Sequence, residues 1–234
     1  EATETGVIDL STLLSNFVKE KECSNVTVQL TPGAVYKVSE LKIPGLDNIL
    51  FTSTEANENN RPQLIVTNKI SLASPIQSLS FEFVCLNGNG EASYMTDWKN
   101  SSYAQSISFT GCAIQNITID NCVISEVGTD GYGMINFGKN IDQLEKVSIT
   151  NSTLINIGDQ LMDVKGGIGD VILENCTFCN SMDAKKELPK VFRFDNAAST
   201  PPSPKSATMR NLIFSGPNKG KKMNSGNGAY DILN

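Results

Sequence analysis

The chain contains no histidine. That removes Ser-His-Asp and Cys-His catalysis, imidazole metal ligands and the side chain most used for proton transfer near neutral pH. Any chemistry therefore falls to carboxylates, lysine, arginine, tyrosine or a bound cation. Arginine is scarce as well, confined to Arg61, Arg193 and Arg210. No stretch of about 18 or more apolar residues is present, so nothing in the sequence reads as a membrane span. Residues 1–5 lack the regions of a signal peptide, and any targeting segment is expected to have been removed or to lie outside this sequence.

Positive charge is outweighed, 19 basic against 25 acidic residues, and the net charge of −6 argues against nucleic acid as a partner. The run Lys219-Gly-Lys-Lys222 reads as a solvated loop and not a binding patch. Six cysteines in 234 residues make no dense disulfide framework. Cys176 and Cys179 form a C-x-x-C, but on a strand they do not converge on one ion, and no second pair completes a zinc set. A hydrophobic content of 39% is low for a close-packed α/β enzyme. It fits a slender solenoid whose strands show one face to water.

What the sequence does have is a repeat. Ile117-Thr-Ile-Asp-Asn-Cys122, Val147-Ser-Ile-Thr-Asn-Ser152 and Val171-Ile-Leu-Glu-Asn-Cys176 share one pattern, with a weaker copy at Ala207-Thr-Met-Arg-Asn-Leu212. Their asparagines, Asn121, Asn151, Asn175 and Asn211, are spaced by 30, 24 and 36 residues. Periods of about 20–50 residues in a β-rich sequence mark a solenoid, here an all-β parallel β-helix. The sequence predicts one domain over residues 1–234, with about seven to eight coils in 26–215 and an exposed tail over 216–234. Residues 9–20 carry Leu10, Leu13, Leu14, Phe17 and Val18 at helical spacing behind Asp9, which predicts an amphipathic helix capping the open N-terminal end.

Period two assigns the faces of each coil. Ile117 and Ile119, Val147 and Ile149, and Val171 and Leu173 are expected inside, with Asp120, Thr150, Glu174 and Arg210 facing solvent. Ile124, Leu154, Phe178 and Phe214 form a second inward column, and Cys122, Ser152 and Cys176 stack inside the coil as small residues. The four asparagines are expected to point inward and to bond amide to amide up a structural ladder. Those of Asn151-Ser-Thr153 and Asn175-Cys-Thr177 therefore read as ladder positions and not as glycosylation sites. Further strands are expected at 26–30, 34–38, 49–53, 63–67, 79–86 and 106–110. Ile107-Ser-Phe-Thr-Gly-Cys112 repeats Ile117–Cys122 at an offset of only 10. The two segments are either two faces of one coil or the flanks of a missing coil near 115–117, and the second is favoured.

The strand–Asn–strand coil, the Leu30-Thr-Pro-Gly-Ala-Val-Tyr36 turn and the segment 106–114 together resemble the pectate-lyase-like, right-handed parallel β-helix families of unassigned function on Bacteroidetes surface lipoproteins. The resemblance covers about residues 8–215, marks the fold and not a reaction, and implies three things. The protein is exported or on the outer cell surface, lipid-anchored in its full-length form. It belongs with polysaccharide utilisation, its glycan uronate-containing or pectin-like. Its groove is floored by the first strand of each coil, at 134–137, 161–165 and 191–195. Alternation then sets Asn136, Asp163 and Arg193 in one outward column and Gly138, Lys165 and Asp195 in the next.

That surface suits three tasks. A uronate lyase needs a cation or Ca²⁺ to neutralise the substrate carboxylate and a base to take the adjacent proton. Lys165 or Arg193 would be base or clamp, with Asp163 and Asp195 holding calcium or orienting the cation. A glycosidase needs two acids, for which Asp163 with Asp159 or Asp130 are the candidates. The chain lacks the Arg-x-Pro-x-x-Arg of pectate lyases, the histidine pattern of polygalacturonases and the Gln/Asp motifs of pectin esterases. Binding without turnover needs only Asn136, Asp163, Lys165, Arg193, Asp195 and a stacking ring, Tyr132, with Tyr94, Trp98 and Tyr103 in similar loops. Glycan binding by a monomer with no resident cofactor, calcium left open, is the expectation; a lyase and a structural spacer are the alternatives.

Overall fold

A computed structural model of the protein describes residues 7–41, 43–72, 75–88, 105–109, 114–127, 134–137, 144–157, 160–164, 168–179, 190–194, 204–215 and 222–224. The chain starts with β1 (Ile8–Asp9) and α1 (Leu10–Lys21), then β2 (Asn25–Gln29), β3 (Val35–Leu41), β4 (Asn48–Thr52) and β5 (Gln63–Leu72). The middle holds β6 (Ile76–Glu82), β7 (Cys85–Asn87), β8 (Gln105–Phe109), β9 (Ile114–Asp120), β10 (Val123–Ser125), β11 (Ile135–Phe137), β12 (Leu144–Thr150) and β13 (Thr153–Ile155). There follow β14 (Gln160–Val164), β15 (Ile168–Glu174), β16 (Thr177–Cys179), β17 (Lys190–Phe194), β18 (Pro204–Arg210), β19 (Ile213–Ser215) and β20 (Lys222–Asn224).

The helix forms where the apolar stripe predicts it. Asp9 caps its start with extended backbone, and its carboxylate accepts from the Ser11 N–H at 2.9 Å. Glu22 ends it in the left-handed region at φ 51, donating its N–H to the Val18 carbonyl, while Lys19 and Lys21 face the negative end of the helix dipole. Leu10, Leu14 and Val18 are buried in the core, but Leu13 and Phe17 are 43% and 46% exposed. The buried stripe is thus narrower than the sequence predicts, because only the i, i+4, i+8 line of the helix reaches the strands beneath.

The strands stack in parallel in two sheets. One runs β18-β15-β12-β9-β6-β4-β2 and contains the repeat strands. The other runs β19-β16-β13-β10-β7-β5-β8-β11-β14-β17-β20, with β3 on β5 and β1 on β3. Its two arms meet on the ten-residue β5, whose Gln63 end pairs with β7 and whose Ile70 end pairs with β8. The repeats superimpose as the sequence requires. Ile117, Val147 and Val171 share one register position, Ile119, Ile149 and Leu173 another, and all six are fully buried. Ile124, Leu154 and Phe178 form the second interior column. Phe214 continues it, its ring stacked on Phe178 with centroids 4.8 Å apart, yet it remains 38% exposed. Each fully buried Leu, Ile or Phe contributes about 1.5–3 kcal/mol, so these columns hold the stack together.

Two sheets need corners, and the first follows every repeat strand. Asn121, Asn151, Asn175 and Asn211 have φ between 50 and 55, a left-handed backbone that asparagine tolerates better than most residues. Each of the first three donates its N–H to the coil above, to the carbonyls of Thr150, Glu174 and Arg210 at 3.0–3.2 Å. Phe83, at φ 56, takes the same place one coil earlier and donates to the Asp120 carbonyl. The single strand expected over 79–86 is accordingly two, β6 and β7, on different sheets.

Two further expectations are corrected here. No coil is missing near 115–117: β9 is continuous from Ile114 to Asp120 and in register with β6 and β12, while β8 lies in the other sheet. The offset of 10 arises because two faces of one coil share a pattern. Nor are residues 216–234 simply a tail, since Lys222–Asn224 pairs with β17.

Candidate functional site

The proposed groove floor corresponds to β8, β11, β14 and β17. Ile70, Ile107, Ile135, Met162 and Phe192 share a register position along these strands and β5, and Ile70, Ile135 and Met162 are fully buried. That column fixes the inner face of the row. The next register position carries Ser71, Ser108, Asn136, Asp163 and Arg193, in that order from β5 to β17. The column Asn136–Asp163–Arg193 expected from the sequence is therefore in register. Adjacent members are one strand step, about 4.8 Å, apart. Met134 and Leu161 are fully buried although alternation would set them outside. Gly138, Lys165, Asp195, Tyr132, Asp130, Asp159, Tyr94, Trp98 and Tyr103 lie outside the described residues.

The asparagine ladder exists, but on the outside. Asn175 Nδ2 donates to Asn151 Oδ1 at 3.0 Å, and Asn211 Nδ2 to Asn175 Oδ1 at 2.9 Å. Asn151, Asn175 and Asn211 are exposed and Asn121 is half-buried. The inward-pointing asparagines expected from the repeat are corrected accordingly, and with them the reading of Asn151 and Asn175 as buried sequon positions. At Asn121 the ladder diverts to Asp120. Its carboxylate accepts from Asn121 Nδ2 at 3.1 Å, Asn151 Nδ2 at 2.8 Å and Thr150 Oγ1 at 2.5 Å. A carboxylate held by three side chains, two of them on the next coil, is a strut between coils.

Inside that corner lies the small-residue column. Cys122, Ser152 and Cys176 are buried, as the sequence predicts. Ser152 Oγ accepts from the Cys122 N–H at 3.1 Å and donates to the Thr150 carbonyl at 2.6 Å. Burial pushes the Cys122 thiol up to about 12 and raises that of Cys176, so neither is a nucleophile at neutral pH. Among the described residues, no group of three or more His, Cys, Asp or Glu is placed to hold a metal ion.

A second corner escaped the sequence reading. Glu126 and Asn156 have φ 57 and 52 and follow β10 and β13. Gly88 precedes them in the same column and donates to the Ser125 carbonyl at 3.0 Å. A Cβ on Gly88 would strike the Glu126 carbonyl oxygen, so the close approach of the two coils requires glycine. Glu126 is buried; Asn156 Nδ2 donates to its Oε1 at 2.5 Å, and its Oε2 has no hydrogen-bond partner among the described residues. Burial raises its pKa, opposed by the Asn156 amide. The signal was available: Ile124-Ser-Glu-Val-Gly128 and Leu154-Ile-Asn-Ile-Gly158 are one motif.

The outer face of the seven-stranded sheet is also polar. Asn48 Nδ2 donates to Asn25 Oδ1 and Ser78 Oγ to Asn48 Oδ1, each at 2.6 Å, and Ser206 Oγ to Asp170 Oδ1 at 2.8 Å. These groups, like Asp120, are engaged with their vertical neighbours. The row centred on Asn136, Asp163 and Arg193 sets these three residues at one register position on consecutive strands.

No family model, curated protein or solved structure matches the chain. Among the described residues, no helix is long and apolar enough to cross a membrane.

Proposed function

We propose that the protein is an exported or cell-surface, right-handed parallel β-helix that engages polysaccharide by binding rather than turnover. The observation that supports this reading is the register of Ser108, Asn136, Asp163 and Arg193 on four successive strands. Serine, asparagine, aspartate and arginine at one register position of strands about 4.8 Å apart are residue types suited to hydrogen bonding with an extended sugar chain. In this reading α1 closes the N-terminal end, consistent with the contribution of Leu10, Leu14 and Val18 to the core. Binding is preferred over turnover because Asp120 accepts three side-chain hydrogen bonds and Glu126 one from an amide, which engages both in the scaffold. A glycan array with the intact protein tests the proposal. Binding weakened by Asp163→Ala and Arg193→Ala, without appearance of unsaturated uronate, is the expected result. Release of unsaturated product would instead establish the lyase.

The spacer reading draws on a separate observation, the bonding of outward Asn, Ser and Asp side chains to one another along the seven-stranded sheet. Such ladders stiffen a stack and leave fewer groups for a ligand. Silence on the glycan array would favour it.

A further inference from the structure

The stack is open at its β18–β19 end. Both strands end their sheets and, among the described residues, pair on one side only. Such edges present a row of backbone donors and acceptors with no partner. The interior is open there too. Ala207 is half-buried where Ile117, Val147 and Val171, its predecessors in register, are fully buried. Phe214 is 38% exposed where Phe178 beneath it is fully buried. The corner is equally incomplete. Phe83, Asn121, Asn151 and Asn175 each donate their N–H to the coil that follows, and Asn151 and Asn175 each accept the next asparagine's amide. Asn211 does neither among the described residues.

The sequence beyond β20 carries what this end lacks. Tyr230-Asp-Ile-Leu-Asn234 has the alternation of Ile117–Asn121, Val147–Asn151 and Val171–Asn175, apolar at the first and third positions with asparagine at the fifth. Asn234 follows Asn211 by 23 residues. The fold already contains a coil of that length, since Val26 and Ile49, 23 residues apart, are in register on β2 and β4. We infer that the free edge of β18 is a docking surface for this chain's own residues 230–234, which add one more strand to the seven-stranded sheet. The repeat sets the register: Tyr230 on Ala207, Ile232 on Met209 and Asn234 on Asn211. A large residue stacked on the small Ala207 fills the interior evenly. Asn234 takes the fifth place in the ladder, its amide donating to Asn211 Oδ1, and the Asn211 N–H donates to the Leu233 carbonyl. Only five residues separate β20 from Tyr230. So short a tether holds the segment at an effective concentration of about millimolar, ahead of a second copy of the chain. The inference is independent of the glycan-binding reading.

The experiment is disulfide formation in the intact chain between cysteines placed on the outer face. Adjacent strands, about 4.8 Å apart, fall within the span of about 4.4–6.8 Å between the Cα atoms of a disulfide. Thr208→Cys with Asp231→Cys is the test pair, and Ile172→Cys with Thr208→Cys, in register on β15 and β18, is the reference. Thr208→Cys with Leu233→Cys is offset by two residues, a diagonal of about 7–8 Å. The test pair should close within one molecule about as fast as the reference, and the offset pair about tenfold more slowly or worse, because its spacing exceeds the disulfide's reach. Peptide mapping identifies the bond against the native cysteines. Hydrogen exchange supplies a second measurement that needs no cross-link. Ile232→Asp, at an inward position, should speed exchange of the amides in 204–211 about tenfold or more, while Leu233→Asp, at an outward one, leaves them protected. Test and offset pairs closing equally slowly would overturn the inference, as would exchange in 204–211 that neither variant changes. Disulfides joining position 208 of two molecules, in a chain whose only change is Thr208→Cys, assign the edge to a second copy and overturn it as well.

Discussion

The side-chain amide of Asn175 donates to Asn151 Oδ1 at 3.0 Å, and both residues hold a left-handed backbone, at φ 55 and 50. Asparagine thus does two jobs at this corner, turning the chain and linking one coil to the next. The two are separable. Asn175→Gly keeps the turn and loses two amide bonds, the one to Asn151 and the one from Asn211, at a cost of about 0.5–1.5 kcal/mol each. Asn175→Ala loses both and adds about 1–2 kcal/mol of backbone strain. Denaturant midpoints should rank parent, Gly, Ala; an alanine variant as stable as the glycine one would show that the turn needs no special residue.

Phe83 occupies the same corner at φ 56 and is 36% exposed. Phe83→Asn trades about 1–2 kcal/mol of left-handed strain against a similar loss of ring burial, so stability should change by less than about 1 kcal/mol although a large side chain is removed. Urea unfolding of the single variant checks the size of the change.

Glu126 supplies a pH dependence. Its folded pKa is raised above the ordinary 4.5 by burial, so the native state holds the proton more tightly than the unfolded chain does. The associated stability is fully present below pH 4.5 and is lost as pH rises through the folded value. Glu126→Asn removes the titration and places at φ 57 a residue suited to it. Its unfolding free energy should be flatter than the parent's from pH 4.5 upward and higher at neutral pH, by about 1 kcal/mol. A parent curve that rises with pH over this range would contradict the assignment.

The thiols should divide by burial. Cys122 and Cys176 are buried, whereas Cys23, Cys85 and Cys179 are half-buried, and burial raises the pKa of Cys122, Cys176 and also Cys85. A thiol-specific reagent at neutral pH should leave Cys122 and Cys176 unmodified until denaturant is added, with peptide mapping identifying the protected pair. Modification of either in the folded protein would place the small-residue column at the surface.

The interior columns were legible in the sequence because period two and the fixed order of Ile117, Ile119 and Asn121 leave one way to bury the apolar side of each coil. The corner at Phe83 was not, since a left-handed backbone is imposed there by coils above and below on a residue that does not favour it. The ladder's outward direction was equally hidden. Small buried residues at the next position, Cys122, Ser152 and Cys176, take up the inner volume and leave the amides outside. Of the candidate site, the alignment of Asn136, Asp163 and Arg193 was expected from the strands that the resemblance implies together with their alternation, and the register bears it out. The pairing of β20 with β17 was not expected, because no repeat motif marks either strand.

By itself the sequence determined that coils repeat, which residues line their interior, and that chemistry here proceeds without imidazole. Those properties reside in the order and kind of side chains along single strands. Tertiary structure decided which strands became neighbours across loops of unequal length, which way the corner amides face, and which charges meet in register. A loop's length does not state where its far end docks; that choice is made by the burial of apolar columns and the completion of backbone hydrogen bonds between coils.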